Sequence, residues 1–404
     1  MIPQRCAKPE ITTVREEPLQ QPQRWLRSQL DARVIERSIE FILTRIDQNL
    51  AAFGDRFPAP SSVGGVYAPI DNVEWTNGFW TGMLWLAYEV TGDRHYLNAA
   101  LAHVTSFKQR VENKINVDHH DLGFLYSLSC VSAYKLTGSD LAEEAALKAA
   151  ALLLRRYLPE AGIIQAWGDL SDPAQRGRMI VDCNLNLPLL YWAAEMTGAI
   201  KYREAADTHI ARAATHIVRS DASTFHTFYM DATIGKPLHG KTHQGYSDTS
   251  CWARGQAWGI YGFPLVYRYN TDAGLLVLAK KLANYFLNRL PDDGICYWDL
   301  HFTSGPEPRD SSAAAIAACG LLELERSLPL LDPHRSLYQG AAWAMVRQLS
   351  ESYLSADSPT ANGVLKHAVY HKPNGVGVDE SCIWGDYFYF EALVRLSRVW
   401  RPYW

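Results

Sequence analysis

The chain has 404 residues, a formal net charge of −4 and 20% charged side chains, with no run of Lys or Arg, which excludes a nucleic-acid track. The opening MIPQRCAKPEITTVREE lacks the apolar centre of a signal peptide, no uninterrupted apolar stretch predicts a membrane span, and seven scattered Cys form no CxxC pair. These features predict a cytoplasmic protein with reduced thiols, acting without a membrane or nucleic-acid partner; a monomer or homodimer is expected, and the sequence does not choose between them.

Residues 1–24 are polar and contain Pro, which predicts an irregular arm ahead of a single domain over 25–404. Residues 33–50 read as an amphipathic helix: Val34, Ile35, Ile39, Ile42 and Ile46 share one face, and charged residues cover the others. After a loop rich in Gly, Pro and Ser comes an apolar helix at 78–91. The alternation then repeats, with amphipathic helices at 94–111, 140–157, 201–218, 274–290 and 335–354. Between them lie apolar ones at 123–137, 184–197, 252–269, 311–326 and 385–400. The helix-poor stretches 219–250, 291–310 and 355–383 each precede an apolar helix, and the first of them has room for a short hairpin.

Three of the apolar helices follow one design. Asn77, Asp121 and Asp182 stand 15, 17 and 16 residues ahead of Gly92, Gly138 and Gly198, each the Gly of a Thr-Gly pair. A helix apolar on nearly every side must be buried. Six such helices, each paired with an amphipathic one, are buried by closing into a ring, which predicts an all-α (α/α)6 toroid; an open solenoid would expose Trp-rich faces. All apolar helices then start at one rim, where the long insertions also fall. The positive ends of six helix dipoles gather there, and the site suits an anionic ligand.

Around those helix starts stand Trp75, His120, Asp121, Trp167, Asp182, Trp252, Arg254 and Trp258. Indole faces stack on sugar C–H faces, and carboxylates and amides take hydroxyls. Asp118-His119-His120-Asp121 is dense in ligand types, but adjacent ligands chelate one ion poorly and no HExxH occurs, so no metal or cofactor is expected. A GxSxG elbow and a Gly-rich phosphate loop are also missing. What remains is a pair of carboxylates, Asp121 and Asp182, opening neighbouring helices whose axes lie about 10 Å apart. Each could be an N-cap. Together, partly desolvated, one would have a raised pKa and serve as a general acid.

HHDLGF (119–124), AWGD (166–169), IVDCNLNLPLLYWA (180–193), HQGY (243–246) and SCWARGQAWGIYG (250–262) resemble the unsaturated glucuronyl hydrolases, glycoside hydrolase family 88, as does WTNGFWTGMLWLAYE (75–89). The resemblance runs from about residue 33 to 400, and that family has the same toroid. It implies an enzyme that removes the non-reducing-end Δ4,5-unsaturated uronic acid from oligosaccharides left by polysaccharide lyases. Asp182 would protonate C4 of the vinyl ether and then deprotonate the water that adds at C5. Asp121 would hold ring hydroxyls and bias the proton onto Asp182. His226 and Gln244 would bind the same ring, Gln244 orienting the water. Trp75, Trp167, Trp252 and Trp258 would wall it. Arg254 would meet the uronate carboxylate or pair with a structural acid. Two other enzyme readings stay open: an unsaturated rhamnogalacturonyl hydrolase of the same fold, and a conventional (α/α)6 glycosidase using Asp310, Glu380 or Asp386. More distant are a sugar epimerase of this fold and a non-enzymatic sugar-binding ring. Lys236, Lys241, Lys366 and Lys372 are the basic candidates near the mouth.

Overall fold

The structure, a computed structural model, describes residues 13–404. The first twelve residues of the expected arm lie outside the described residues. A short helix, α1 (Pro22–Leu26), buries Trp25 and leads into the amphipathic α2 (Ala32–Phe53). The apolar α3 (Asn77–Thr91) and amphipathic α4 (Arg94–Glu112) follow. The next apolar helix is built in three pieces. α5 (Leu122–Tyr126) passes through a π turn at Ser127–Val131 into α6 (Ser132–Thr137). The predicted 123–137 helix is therefore interrupted. The Ser129 and Ser132 hydroxyls donate back to the carbonyls of Leu125 and Leu128 at 2.6 and 2.5 Å, in competition with the backbone ladder.

The remaining pairs are α7 (Asp140–Arg155) and α8 (Leu187–Thr197), α9 (Ile200–His216) and α10 (Ala253–Asn270), α11 (Ala273–Leu287) and α12 (Ser311–Ser327), and α13 (Arg335–Gln348) and α14 (Ile383–Ser397). A 3-10 turn, Val181–Leu185, precedes α8, and Pro188 sits in the first turn of α8, where its missing N–H costs nothing. Where α3, α6 and α8 end, Gly92, Gly138 and Gly198 take left-handed conformations with φ of 72°, 69° and 68°. That conformation lets the chain reverse within a few residues into the next amphipathic helix.

The apolar helices pack in sequence, α3 on α5, α5 on α8, α8 on α10, α10 on α12 and α12 on α14, and α14 packs back on α3. A glycine lies at each of these six contacts. A Cβ on Gly78 would stand 2.1 Å from the Phe124 carbonyl oxygen, and one on Gly123 would stand 2.3 Å from the Cα of Asn186. Gly262, Gly320, Gly385 and Gly82 face Asn184, Tyr261, Ser312 and Tyr387 in the same way. The missing Cβ lets neighbouring inner helices pack closely, backbone to backbone at Gly78, Gly123 and Gly320 and against a side chain at Gly82.

Small antiparallel pairings decorate the rim: β1 (Phe57–Pro58) with β2 (Pro69–Ile70), and β3 (Tyr157–Leu158) with β4 (Ile163–Ile164). A three-stranded sheet joins β5 (Arg178–Ile180), β6 (Thr227–Met230) and β7 (Pro237–Lys241). β8 (Ala368–His371) pairs with β9 (Val376–Glu380). The 219–250 stretch thus holds the hairpin its composition allowed, extended by a third strand from the segment leading to Asp182.

At the opposite end, α14 stops at Ser397, and residues 398–404 cross the ring. Trp404 is buried and lies 5.9 Å from Phe388 with an 8° interplanar angle, and its Nε1 donates to Glu391 at 2.9 Å. Glu391 also accepts from Tyr261, from Tyr387 at 2.8 Å and from Arg395 Nε at 2.9 Å; Arg395 in turn binds Glu323 at 2.8 Å. A buried charge is tolerated when every acceptor is used, and Glu391 meets that condition.

Candidate active site

Asp121 occupies the position before α5 and Asp182 lies in the 3-10 turn before α8, yet neither side chain caps a helix. Both carboxylates are released from the ordinary task of Asp at a helix start. The interface that sets their separation runs through Gly123 and Asn186. The missing Cβ admits the Asn186 backbone, and Asn186 Oδ1 accepts from the Phe124 amide at 2.8 Å.

His120 stands between the two acids. Its Nε2 is 3.3 Å from Asp121 Oδ1 and 3.3 Å from Asp182 Oδ1. His120 is 2% exposed, and the Asp121 and Asp182 side chains 17% and 15%. Burial opposes the imidazolium, but the two carboxylates outweigh it and hold the His120 pKa well above its ordinary value. Burial would likewise raise Asp121, but the charge of His120 and hydrogen bonding from His119 and His120 overcome it, so Asp121 is held low. For Asp182 burial wins over the attraction of His120, with the Asp121 charge adding to it, and the pKa rises to about 6. Asp182 Oδ1 is buried and lacks an aligned hydrogen-bond donor, which leaves it poised to hold a proton. One atom each of His120, Asp121 and Asp182 lies within 4.8 Å of the other two, and the His120 imidazolium is the cation set between the two carboxyl groups.

A cavity of about 170 Å3 opens beside this pair. Trp75, Trp167, Trp252 and Trp258 wall it, and His120, His226, Gln244 and Arg254 reach it with the two acids. All ten residues singled out in the sequence therefore converge on one space. Trp258, 1% exposed, packs below on Phe124 and Phe388 with centroids 5.3 and 5.5 Å away. His226 Nδ1 accepts the His243 amide at 2.9 Å, and burial keeps its pKa well below the ordinary value. The ring is neutral, with Nε2–H as the donor left for a ligand.

Arg254 resolves toward a structural partner. Its Nη1 binds the Val369 carbonyl and lies 3.4 Å from Asp310 Oδ2; its Nη2 binds Gln244 Oε1 and, at 2.7 Å, the Tyr370 carbonyl. The guanidinium also stacks over Trp252 at 4.4 Å. Both η nitrogens are committed to protein, and the Gln244 carbonyl with them. Gln244 is left with its amide N–H groups as donors to the cavity.

Two wall residues escaped the sequence reading, Ile180 and Tyr370. Tyr370 accepts from Trp75 Nε1 at 3.0 Å. It arrives on a hairpin from far along the chain, with no local signal beyond its position in a loop before an inner helix. The acids of the conventional-glycosidase reading point elsewhere. Asp310 caps α12 and holds Arg254; Glu380 accepts from Ser62 and the amides of Gly64 and Gly65; Asp386 accepts from Tyr67 and the amides of Val364 and Leu365. None of the three lines the cavity.

A mostly helical protein with a Trp-walled pocket and two facing carboxylates is a carbohydrate-active enzyme. Residues 55–356 match the Glycosyl Hydrolase Family 88. The chain belongs to glycoside hydrolase family 88. It is 48% identical over 397 residues, 98% of this chain and 100% of the other, to the unsaturated chondroitin disaccharide hydrolase of Streptococcus agalactiae. The crystal structure of an unsaturated glucuronyl hydrolase from that organism superimposes with a TM-score of 0.95, at 47% identity over 97% of this chain and 99% of that one. A mutant of that enzyme complexed with dGlcA-GalNAc6S superimposes at 0.87, with 45% identity and the same coverage.

Proposed function

We propose that this protein releases the Δ4,5-unsaturated uronate from lyase-generated disaccharides of the chondroitin type by hydrating the C4=C5 vinyl ether within an (α/α)6 toroid. The observation that carries the reading is the pairing of a carboxyl near pKa 6, Asp182, with a carboxylate held low, Asp121, across His120 in a cavity that no other carboxylate lines among the described residues. Asp182 gives its proton to C4. Water adds at C5 and returns a proton to the Asp182 carboxylate. The C5 hemiketal opens to a ketone, and the hemiacetal left at C1 expels the next sugar. One acid thus serves both steps, and no second carboxylate at a glycosidase separation is needed.

Asp121, kept ionised, takes ring hydroxyls and raises Asp182 through its charge. His226 Nε2–H and the Gln244 amide donate to the sugar or the water, and Trp75, Trp167 and Trp252 stack on it. Family 88 and the names of the relatives favour this over the rhamnogalacturonyl reading. Six buried, unpaired cysteines among the described residues suit a reducing cytoplasm. No helix of the described residues is long and apolar enough to cross a membrane.

The test is the ultraviolet absorbance of the conjugated uronate, followed with unsaturated disaccharides from several lyases. Loss of absorbance that disappears in Asp182→Asn supports hydration. Persistent absorbance together with release of reducing ends from saturated glycosides overturns it.

A further inference from the structure

The cavity accounts for Arg254 but leaves one arginine at its edge unexplained. Arg178 lies on β5, two residues before the wall residue Ile180 and four before Asp182. Strand alternation puts Arg178 and Ile180 on one face, with Arg178 about 7 Å further from the acids, the scale of the next sugar. Its guanidinium stacks 4.5 Å over the ring of the wall residue Trp167 and 5.4 Å from Tyr229. Its Nε donates to Tyr229 Oη at 3.1 Å. Among the described residues no carboxylate lies within ion-pair distance of it, and neither Nη makes a hydrogen bond. Two other arginines of the rim, Arg156 and Arg219, differ. Arg156 is spent on Asp118, Gln165 and Gly168, and Arg219 on Ser223 and the carbonyls of Thr224, Asp248 and Ser250.

The sheet continues the pattern. Arg178 pairs with Tyr229 and Tyr229 with His239, whose rings stack at 5.0 Å; Thr227 pairs with Lys241, which has no ion pair among the described residues. A half-buried guanidinium with free η N–H groups, held flat on an aromatic ring, is preorganised for an oxyanion.

We propose that Arg178 binds an oxyanion, carboxylate or sulfate, carried by the substrate beyond the reacting ring, with the β5–β6–β7 face as the path of that part of the substrate. The assignment rests on the hydration reading above and makes Arg178 a selectivity determinant for acidic oligosaccharides.

The experiment measures kcat and KM for wild type, Arg178→Gln and Arg178→Lys on three unsaturated chondroitin oligosaccharides. These are the unsulfated disaccharide, its monosulfated counterpart and the unsulfated tetrasaccharide, which carries a second uronate. The expected result is a fall of about 10- to 100-fold in the ratio of kcat/KM on an oxyanion-bearing substrate to that on the unsulfated disaccharide in Arg178→Gln, arising in KM, with part of it restored by Arg178→Lys. The arm that falls, sulfate or second uronate, identifies the group bound. An equal loss on all three substrates makes Arg178 a support for Trp167, and unchanged ratios remove it from recognition; either result overturns the proposal. Failure of wild type to consume any unsaturated substrate overturns the hydration reading itself, a separate outcome.

Discussion

Removing the charge of Asp121 tests how the acid is made. One oxygen of Asp121 and one of Asp182 lie within 4.8 Å of each other. Burial is the main cause of the raised Asp182 pKa; at that distance and an effective dielectric of about 20, the repulsion Asp121 adds to it is about 3 kcal/mol, which corresponds to about two pH units. Asp121→Asn keeps the shape and removes that repulsion, and His120 then has only Asp182 to neutralise it. The carboxyl of Asp182, raised to about 6 in the native protein, falls. A general acid works in its protonated form, so native turnover falls as pH rises through about 6. In the variant this fall should begin about two pH units lower, and turnover at pH 7 should drop about 100-fold with partial recovery on acidification. The assay is the pH dependence of kcat, followed by loss of uronate absorbance. A variant that is slow at every pH but turns down at the native pH would show that Asp121 binds substrate without tuning Asp182, and the electrostatic reasoning would be wrong.

Asp182→Asn should lose about 100- to 10,000-fold or more in kcat while still binding the unsaturated disaccharide, measured by calorimetry, because the amide keeps the shape without the proton. Gly123→Ala and Gly320→Ala both overpack an inner-helix contact, at about 1–3 kcal/mol each in thermal or denaturant unfolding. Only the Gly123 variant pushes Asn186 away from the Asp121 segment, so it alone should also lower kcat steeply. Arg254→Met strands the fully buried Asp310 and frees Gln244. It should cost about 3–5 kcal/mol in unfolding experiments and weaken substrate binding. Trp404→Ala opens a cavity beneath Phe388 at about 3–5 kcal/mol, and a melting temperature equal to that of the native protein would show that the tail supports nothing.

The helices were legible because each inner segment is apolar on nearly every side, and the first three also end in Thr-Gly, a pattern that suits a buried helix followed by a tight reversal. Asp121 and Asp182 could be found for a related reason. A carboxylate two or three residues ahead of such a segment has an inner-helix mouth as its surroundings, whatever the loops do. Other features depended on contacts between distant parts of the chain. The commitment of Arg254 needs Val369 and Tyr370, more than a hundred residues on, and periodicity carries no information about which hairpin will reach it. The central position of His120 also lay beyond local pattern, because it depends on two helix starts meeting across Gly123. Arg178 was passed over because a strand of three residues leaves almost no trace in sequence, and its partner Tyr229 lies in another insertion. The final helix was expected to continue to 400; the chain turns at Ser397 because Trp400, Tyr403 and Trp404 find burial across the ring.

That crossing has a consequence for traffic. Trp404 and Phe388 stop the bore of the ring beneath Trp258, so among the described residues the pocket is closed from below. A chain cannot be threaded through it, and an internal residue of a polymer has no way to reach Asp182. Only a terminus fits, one sugar deep. The first sugar to enter sits deepest, with the rest of the substrate between it and the opening. Processive movement along a polymer is closed to such an enzyme, and each new cut requires a fresh arrival at the opening.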